Sequence, residues 1–120
     1  MREREIERRL KNEVEKAGGL CLKFTSPGFD GVPDRIILFP KGKITFIELK
    51  APGEKPRPLQ TARIEKLRDY GFRVEIIDSK EQIRELVMEI KGEDGGEKKD
   101  GVPNKSMNEY ILDLIEADMN

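Results

Sequence analysis

The sequence predicts an α/β sandwich in which a mixed sheet, with an antiparallel hairpin at its centre, is flanked by helices. Apolar periodicity gives segments in the order helix, three strands, helix, strand, helix. The second and third strands are apolar on both faces, which is typical of a sheet covered on both sides. A helix separates the third strand from the fourth, and such a crossover is expected to bring the fourth strand alongside the others.

The individual elements follow from local signals along the chain. Apolar residues from Ile6 to Ala17 recur at helical spacing and Gly18-Gly19 follows them, so residues 3–17 are predicted to be helical. Similar signals predict strands over 20–24, 35–39, 43–50 and 72–77, and helices over about 59–70 and 80–91. A loop with two glycines and two prolines, residues 26–33, precedes the hairpin.

The composition changes at Gly92 and divides the chain into three predicted parts. Residues 1–91 form the folded domain, and they hold 20 basic and 16 acidic side chains, a net charge of +4. Residues 92–105 are predicted to be a flexible linker, and residues 106–120 a weakly amphipathic C-terminal helix or tail. Residues 92–120 carry a net charge of −5. A mildly basic body is compatible with phosphate binding but does not require it.

The absence of histidine from the sequence and the presence of a single cysteine, Cys21, narrow the chemistry. They exclude serine–histidine triads, cysteine–histidine dyads and zinc sites of the finger type. Acid–base or metal chemistry must therefore use carboxylates, with lysine or tyrosine as helpers. No run of eighteen apolar residues and no apolar leader occur, so we expect a soluble, cytoplasmic protein without membrane association.

Three charged residues are predicted to lie close together at the open end of the hairpin, opposite its turn. With the turn centred between positions 41 and 42, antiparallel pairing sets Asp34 opposite residue 49, next to Glu48 and Lys50. Side chains alternate along a strand, so Glu48 and Lys50 share one face. Two converging carboxylates repel each other, and a divalent cation that prefers oxygen ligands, Mg²⁺ or Mn²⁺, relieves the repulsion.

This arrangement indicates hydrolysis of a phosphodiester by a metal-activated water. A metal ion held by Asp34 and Glu48 would lower the pKa of the water and polarise the phosphate. Lys50 would orient the water or neutralise charge that develops on the phosphate. The alternative is a structural ion-pair network at the end of the strand.

The same residues resemble a known family. Pro33-Asp34, followed after thirteen residues by Glu48-Leu49-Lys50, is similar to the PD-(D/E)XK nuclease pattern. More narrowly, Gly31–Arg35, Phe46–Ala51 and Leu59-Gln60 resemble the VRR-NUC group, which includes small stand-alone phage nucleases and the nuclease domain of the Fanconi-associated repair nuclease. The resemblance covers roughly residues 3–90. It implies a restriction-endonuclease-like fold and, for a phage protein, action in the host cytoplasm.

The resemblance also implies further site residues. A glutamate on the first helix commonly faces the metal, and Glu7 is the expected one, with Glu3 one turn earlier as the alternative. Gln60 corresponds to a family glutamine that supports the site, acting through Lys50 or a water, although it could simply cap a helix. The main-chain carbonyl of Leu49 would be a third metal ligand.

Several basic residues near these elements are candidates for phosphate contacts, which are the dominant source of nucleic-acid affinity. They are Lys23, Arg35, Lys55, Arg57 and Arg63. Each of them could instead simply face water. Phe29, in the loop before Asp34, could stack on a base or pack on the core.

The predicted function is therefore a Mg²⁺- or Mn²⁺-dependent DNA endonuclease, with branched DNA such as four-way (Holliday) junctions as one substrate class. The resemblance points to a homodimer, whose two-fold symmetry would suit cleavage of both strands. One alternative is a catalytically inactive nucleic-acid-binding module that keeps the fold. Another is an adaptor that binds a partner through the C-terminal helix.

Overall fold

A computed structural model describes the backbone of residues 1–95 and the side chains of residues 1–92. Its elements follow the predicted order. They are α1 (Glu3–Lys16), β1 (Leu20–Lys23), β2 (Arg35–Phe39), β3 (Lys43–Leu49), α2 (Pro58–Asp69), β4 (Arg73–Ile77) and α3 (Lys80–Gly95). The predicted α/β class and the mixed sheet with flanking helices are confirmed.

The four strands lie in the sheet in chain order, β1-β2-β3-β4. β1 and β2 pair antiparallel, as do β2 and β3, whereas β3 and β4 pair parallel. The parallel pair requires a crossover, and α2 provides it, as the sequence predicted. β3 is therefore an interior strand, with a hydrogen-bonded neighbour on each side.

The register of the hairpin differs by one residue from the prediction. Phe39 pairs with Lys43, so the loop has three residues, Pro40–Gly42, rather than two. A two-residue loop would have used Pro40 in the last ladder pair, but proline has no N–H to donate. Since Arg35 pairs with Ile47, the same register aligns Asp34 with Glu48 rather than with residue 49. The two carboxylates thus belong to one face of the sheet.

Each face of the sheet has its own apolar core. The larger core joins α1 and α3 to the odd-numbered side chains of β2 and β3, with Ile37 and Ile47 fully buried. The smaller core joins α2, through Ile64, to Phe46 and Val74. Glu48 and Phe46 are two residues apart on β3, so Glu48 lies on the α2 side.

The α2 side of the sheet is only partly covered. We call five apolar residues on this side the apolar row: Leu20, Leu22, Leu38, Ile44 and Phe72. Ile44 packs against the smaller core, and Phe72 lies edge-on to Phe46. The ladder sets Leu20 beside Leu38 and Leu38 beside Ile44. Leu20, Leu22 and Phe72 are exposed. The sheet therefore presents a continuous apolar strip on the face that carries Glu48.

The C-terminal boundary also differs from the prediction. α3 runs to Gly95, so residues 92–95 continue the helix instead of beginning the linker. The rest of the predicted linker and the predicted helix over 106–120 lie outside the described residues. Among residues 1–95, no helix is long and apolar enough to span a membrane.

Candidate active site

Asp34 is fixed at the start of β2 by hydrogen bonds to both neighbouring strands. Its carbonyl accepts a hydrogen bond from the main-chain N–H of Phe24 at 2.9 Å. Its side-chain Oδ2 accepts one from the main-chain N–H of Leu49, also at 2.9 Å. The preceding Pro33 is buried. The carboxylate of Asp34 is consequently held against the end of β3.

Glu48 lies at that end of β3 with no exposed surface. Within the described part of the chain, neither Oε1 nor Oε2 has a hydrogen-bond partner. A buried carboxylate without hydrogen-bond donors is costly, because its ionised oxygens lose their hydration. Such a group in a natural fold calls for an explanation, and a bound cation supplies one.

Lys50 is the nearest cation to Glu48. Its Nζ lies 3.2 Å from Glu48 Oε2, and the Lys50 side chain is largely buried. This ion pair offsets part of the cost of burying the Glu48 carboxylate, since Lys50 favours its charged form. The main-chain N–H of Lys50 donates to the carbonyl of Ile77 at 2.9 Å and so extends the parallel ladder. The site thus stands on the two central strands.

The electrostatics of the site centre on Glu48. Burial, and after it the nearby charge of Asp34, raises the pKa of the Glu48 carboxyl from 4.5 to about 7, while Lys50 acts in the opposite direction. The protonated form of Glu48 is therefore favoured far above the usual range of a carboxylic acid. A positive charge placed between Asp34 and Glu48 would reverse this preference.

The structure places Glu7 away from this pair. Glu7 Oε2 accepts a hydrogen bond from Arg35 Nε at 3.0 Å. Glu3 is exposed. Among the described residues, no three carboxylates come close enough together to hold a metal ion. The assignment of Glu7, or of Glu3, as a metal ligand stays a prediction.

Arg35 is buried instead of lying at the surface, where a phosphate contact was expected. Besides Glu7, it contacts the carbonyl of Cys21, with Nη1 at 3.3 Å. The sequence already indicated that Arg35 lies on the side of the sheet opposite to the site, since it directly follows Asp34. Adjacent strand residues face opposite ways, so Arg35 points to the α1 side when Asp34 points to the site.

Gln60 is buried at the start of α2 and acts as a helix cap. Its Oε1 accepts a hydrogen bond from the main-chain N–H of Arg57 at 2.9 Å. Of the two roles predicted for Gln60, helix capping is the one that matches this observed hydrogen bond. Support of the site through Lys50 or a water stays a prediction.

The remaining basic candidates divide into two kinds. Lys23, Lys55 and Arg57 are exposed, and Lys55 and Arg57 lie in the segment that joins the site to α2.

Arg63 contacts the loop before Asp34: its Nε donates a hydrogen bond to the carbonyl of Asp30 at 2.7 Å. Its guanidinium carbon lies 3.8 Å from the centroid of the Phe29 ring. Sequence reasoning missed this contact, because no local pattern links residues so far apart in the chain.

The fold and these residues define a class of protein: an α/β domain with two carboxylates and a lysine at the open end of a central hairpin, opposite its loop. The VRR-NUC domain family model matches residues 3–81. The chain therefore belongs to the VRR-NUC family.

Two relatives support this membership. The chain is 49% identical over 81 residues to "Putative nuclease p44" of Acyrthosiphon pisum secondary endosymbiont phage 1, and the match covers 68% of this chain and 87% of that protein. A solved structure described as a VRR_NUC domain superposes with a TM-score of 0.68 at 32% identity, over 72% of this chain and 94% of that one. The predicted family and the nuclease class are confirmed.

The raised pKa of Glu48 predicts how stability depends on pH in the absence of divalent cations. Between about pH 4.5 and 7 the unfolded chain releases this proton while the folded protein keeps it. The contribution of Glu48 to the free energy of unfolding is therefore present at low pH and is lost as the pH rises through this window. Glu48→Gln keeps the shape without the charge, so its melting temperature should exceed that of the wild type increasingly from pH 5 to 8. We expect a gain of about 5 °C at pH 8.

Thermal unfolding in EDTA, followed by circular dichroism, measures this difference. Glu65→Gln, which removes an exposed carboxylate on α2, is the matched control and should follow the wild type. A constant difference between Glu48→Gln and the wild type across the pH range would contradict the prediction.

Proposed function

We propose that this protein is a Mg²⁺- or Mn²⁺-dependent DNA endonuclease that hydrolyses phosphodiester bonds at Asp34, Glu48 and Lys50. The observation that carries the proposal is the buried Glu48 carboxylate, which has no hydrogen-bond partner within the described residues and lies beside Asp34. Membership of a nuclease family supplies the reaction class.

The donor set fits a hard divalent cation. Asp34 and Glu48 supply carboxylate oxygens and the Leu49 carbonyl a third ligand, all of the type that Mg²⁺ and Mn²⁺ prefer. The two orphaned oxygens of Glu48 are the feature that a cation would satisfy. When bound, the cation would supply Lewis-acid polarisation of the phosphate and a water of lowered pKa.

The protein's own residues would orient the reaction. The Leu49 N–H fixes the carboxylate of Asp34, so this group needs no reorganisation when the phosphate binds. The Lys50 ammonium is held near Glu48 and would neutralise charge on the phosphate as the water oxygen adds and the P–O bond breaks. Glu7 would join the site only by exchanging its contact with Arg35 for one with the metal.

DNA would be held by phosphate contacts beside the site. Lys23 lies at the end of β1, and Lys55 and Arg57 lie between β3 and α2. All three are exposed, and each neutralised phosphate would make affinity more dependent on salt. Arg35 is left out of this set, because it is buried against Glu7.

A homodimer is the proposed assembly, and the apolar row is its proposed interface. The row combines exposed leucines on the edge strand β1 with Ile44 and Phe72, on the same face of the sheet as Glu48. Exposed apolar strips of this kind mark interaction sites. A second copy on this face would set two active sites about one two-fold axis, which suits cleavage of both strands of a branched DNA.

The alternative function is a DNA-binding module without catalysis. It explains the basic residues equally well, but it gives no reason for a fully buried Glu48 carboxylate next to Asp34. An inactive module would be relieved of that cost by a neutral residue at position 48. The observation therefore favours the enzyme.

Substitutions in the site test the enzyme. Asp34→Asn and Lys50→Ala should each lower the cleavage rate by about 100-fold or more, because the first removes a carboxylate that would hold the metal ion and the second removes the positive charge that would stabilise the reacting phosphate. Binding of uncleaved DNA should change little. The measurement is cleavage of plain, flapped and four-way DNA with Mg²⁺, Mn²⁺ or EDTA, with affinity measured in parallel.

Lys80→Ala, which removes an exposed lysine at the start of α3, is the control and should cleave like the wild type. Full cleavage by Asp34→Asn or Lys50→Ala would refute the assigned site. Cleavage of all three DNA forms at one rate would refute a preference for branched substrates.

The dimer is tested separately by the double substitution Leu20→Glu, Leu22→Glu. Two charges on the apolar row should convert the dimer into a monomer, because their desolvation would cost more than the interface gains. Analytical ultracentrifugation at micromolar concentration measures the mass, and Met88→Glu, at an exposed position on α3, is the control. A monomeric wild type would overturn the proposal. A dimer lost on removal of residues 96–120 would assign the contact to the C-terminal segment instead.

A further inference from the structure

The loop that precedes Asp34, residues 26–33, is anchored at both its base and its tip. At its base, the main-chain hydrogen bond from Phe24 to Asp34 closes it beside the active site. At its tip, Arg63 of α2 donates to the carbonyl of Asp30. The tip is therefore tied to the helix that follows the site.

Gly31 allows this close approach of the loop to α2. Its φ of +86° belongs to the left-handed region, and a Cβ at this position would lie 2.9 Å from Leu59 Cγ. Any other residue would strain the backbone at this φ and would displace the Leu59 side chain. Gly31 thus lets the loop lie close to α2 beside the Arg63 hydrogen bond.

The ties hold Phe29 outside both apolar cores. Phe29 as a residue is 41% exposed, and the Arg63 guanidinium carbon lies over its ring, 3.8 Å from the centroid. Its N–H donates to the carbonyl of Ser26 at 3.0 Å and fixes the turn that carries it. A single exposed phenylalanine needs no explanation on most surfaces. Here, however, Arg63 holds both the ring and the neighbouring Asp30 carbonyl, in the loop that leads directly to Asp34.

We propose that Phe29, supported by Arg63, is a stacking platform for an unpaired nucleobase next to the scissile phosphate. The inference rests on the proposed nuclease function and adds a substrate class to it: DNA with unpaired bases beside the cut. Within a duplex the faces of a base are covered by its neighbours, so only an unpaired base can lie against the ring. Stacking on an aromatic side chain tolerates any base, because every base has a π face.

Cleavage of two matched substrates tests the platform. One is a plain duplex, and the other has the same sequence with a short unpaired stretch beside the cut. The ratio of kcat/KM for the unpaired to the paired substrate should fall by roughly 5- to 100-fold in Phe29→Ala. Phe29→Leu, which keeps the apolar volume but has no π face, should show the same fall. Phe29→Trp should restore the ratio.

Tyr70→Ala is the matched control, because Tyr70 is also an exposed aromatic residue of this region with a cation over its ring, Lys66 Nζ at 5.9 Å. It lies at the far end of α2 and should leave the ratio unchanged. An unchanged ratio in Phe29→Ala and Phe29→Leu, or a wild type without preference for the unpaired substrate, would overturn the platform.

A binding measurement separates this inference from the proposed function. DNA carrying 2-aminopurine at the unpaired position is bound to the Lys50→Ala variant, which should leave the DNA uncut. Stacking of 2-aminopurine on Phe29 should quench its fluorescence, and the double variant Lys50→Ala, Phe29→Ala should not quench it. If the wild type cuts no DNA but the quenching depends on Phe29, the nuclease assignment fails and the platform stands. Quenching that is independent of Phe29 refutes the platform even in an active nuclease.

Discussion

The burial of the Glu48 carboxylate is the constraint on which the rest of the site depends. β3 has a neighbour on each side, and Ile47 and Leu49, which flank Glu48 in the chain, are buried in the core beneath α1 and α3. Releasing Glu48 to water would require β3 to shift or turn, which would expose both of these side chains. Each would lose about 1.5–3 kcal/mol of burial. The apolar core on one face therefore holds the charge in place on the other.

Strand alternation divides the polar residues of β2 between the two faces in the same way. Asp34 turns toward Glu48, and Arg35 turns toward α1. A buried guanidinium needs a counter-ion, because an unpaired buried charge costs several kcal/mol. Glu7 supplies it at 3.0 Å. The contact of Glu7 with Arg35 thus follows from the charge of Arg35 alone, whatever role Glu7 has toward a metal.

Local pattern in the sequence was sufficient to predict the elements and to predict that Asp34, Glu48 and Lys50 lie close together. Helical spacing identified α1, and the apolar strands with their short turn placed Asp34 near Glu48 and Lys50. The observed register differs by one residue from the predicted one, because Pro40 has no N–H to donate to the ladder. That single residue decides whether Asp34 shares a face with Glu48.

Contacts between distant parts of the chain could not be predicted in this way. Glu7 meets Arg35 across 28 residues, and Arg63 meets Asp30 across 33. Spacing shows which helix face a residue occupies, but the partner depends on how the helix is set against the sheet. For Gln60, both the capping role and the supporting role were compatible with its position, and only the hydrogen bond to Arg57 showed which contact is made.

α2 links these features, because its first two turns contact both the sheet and the loop that precedes Asp34. Ile64 packs on the sheet between Phe46 and Val74, and this burial fixes the helix relative to β3. One turn earlier, Gln60 caps the helix. Arg63, which directly precedes Ile64, donates a hydrogen bond to the loop that ends at Asp34, and Leu59 lies against Gly31 of the same loop. The packing of α2 therefore sets the position of the loop as well as that of the helix. Changes in α2 should reach the site through this loop, whereas changes in α1 or α3 reach it through the core that keeps Glu48 buried.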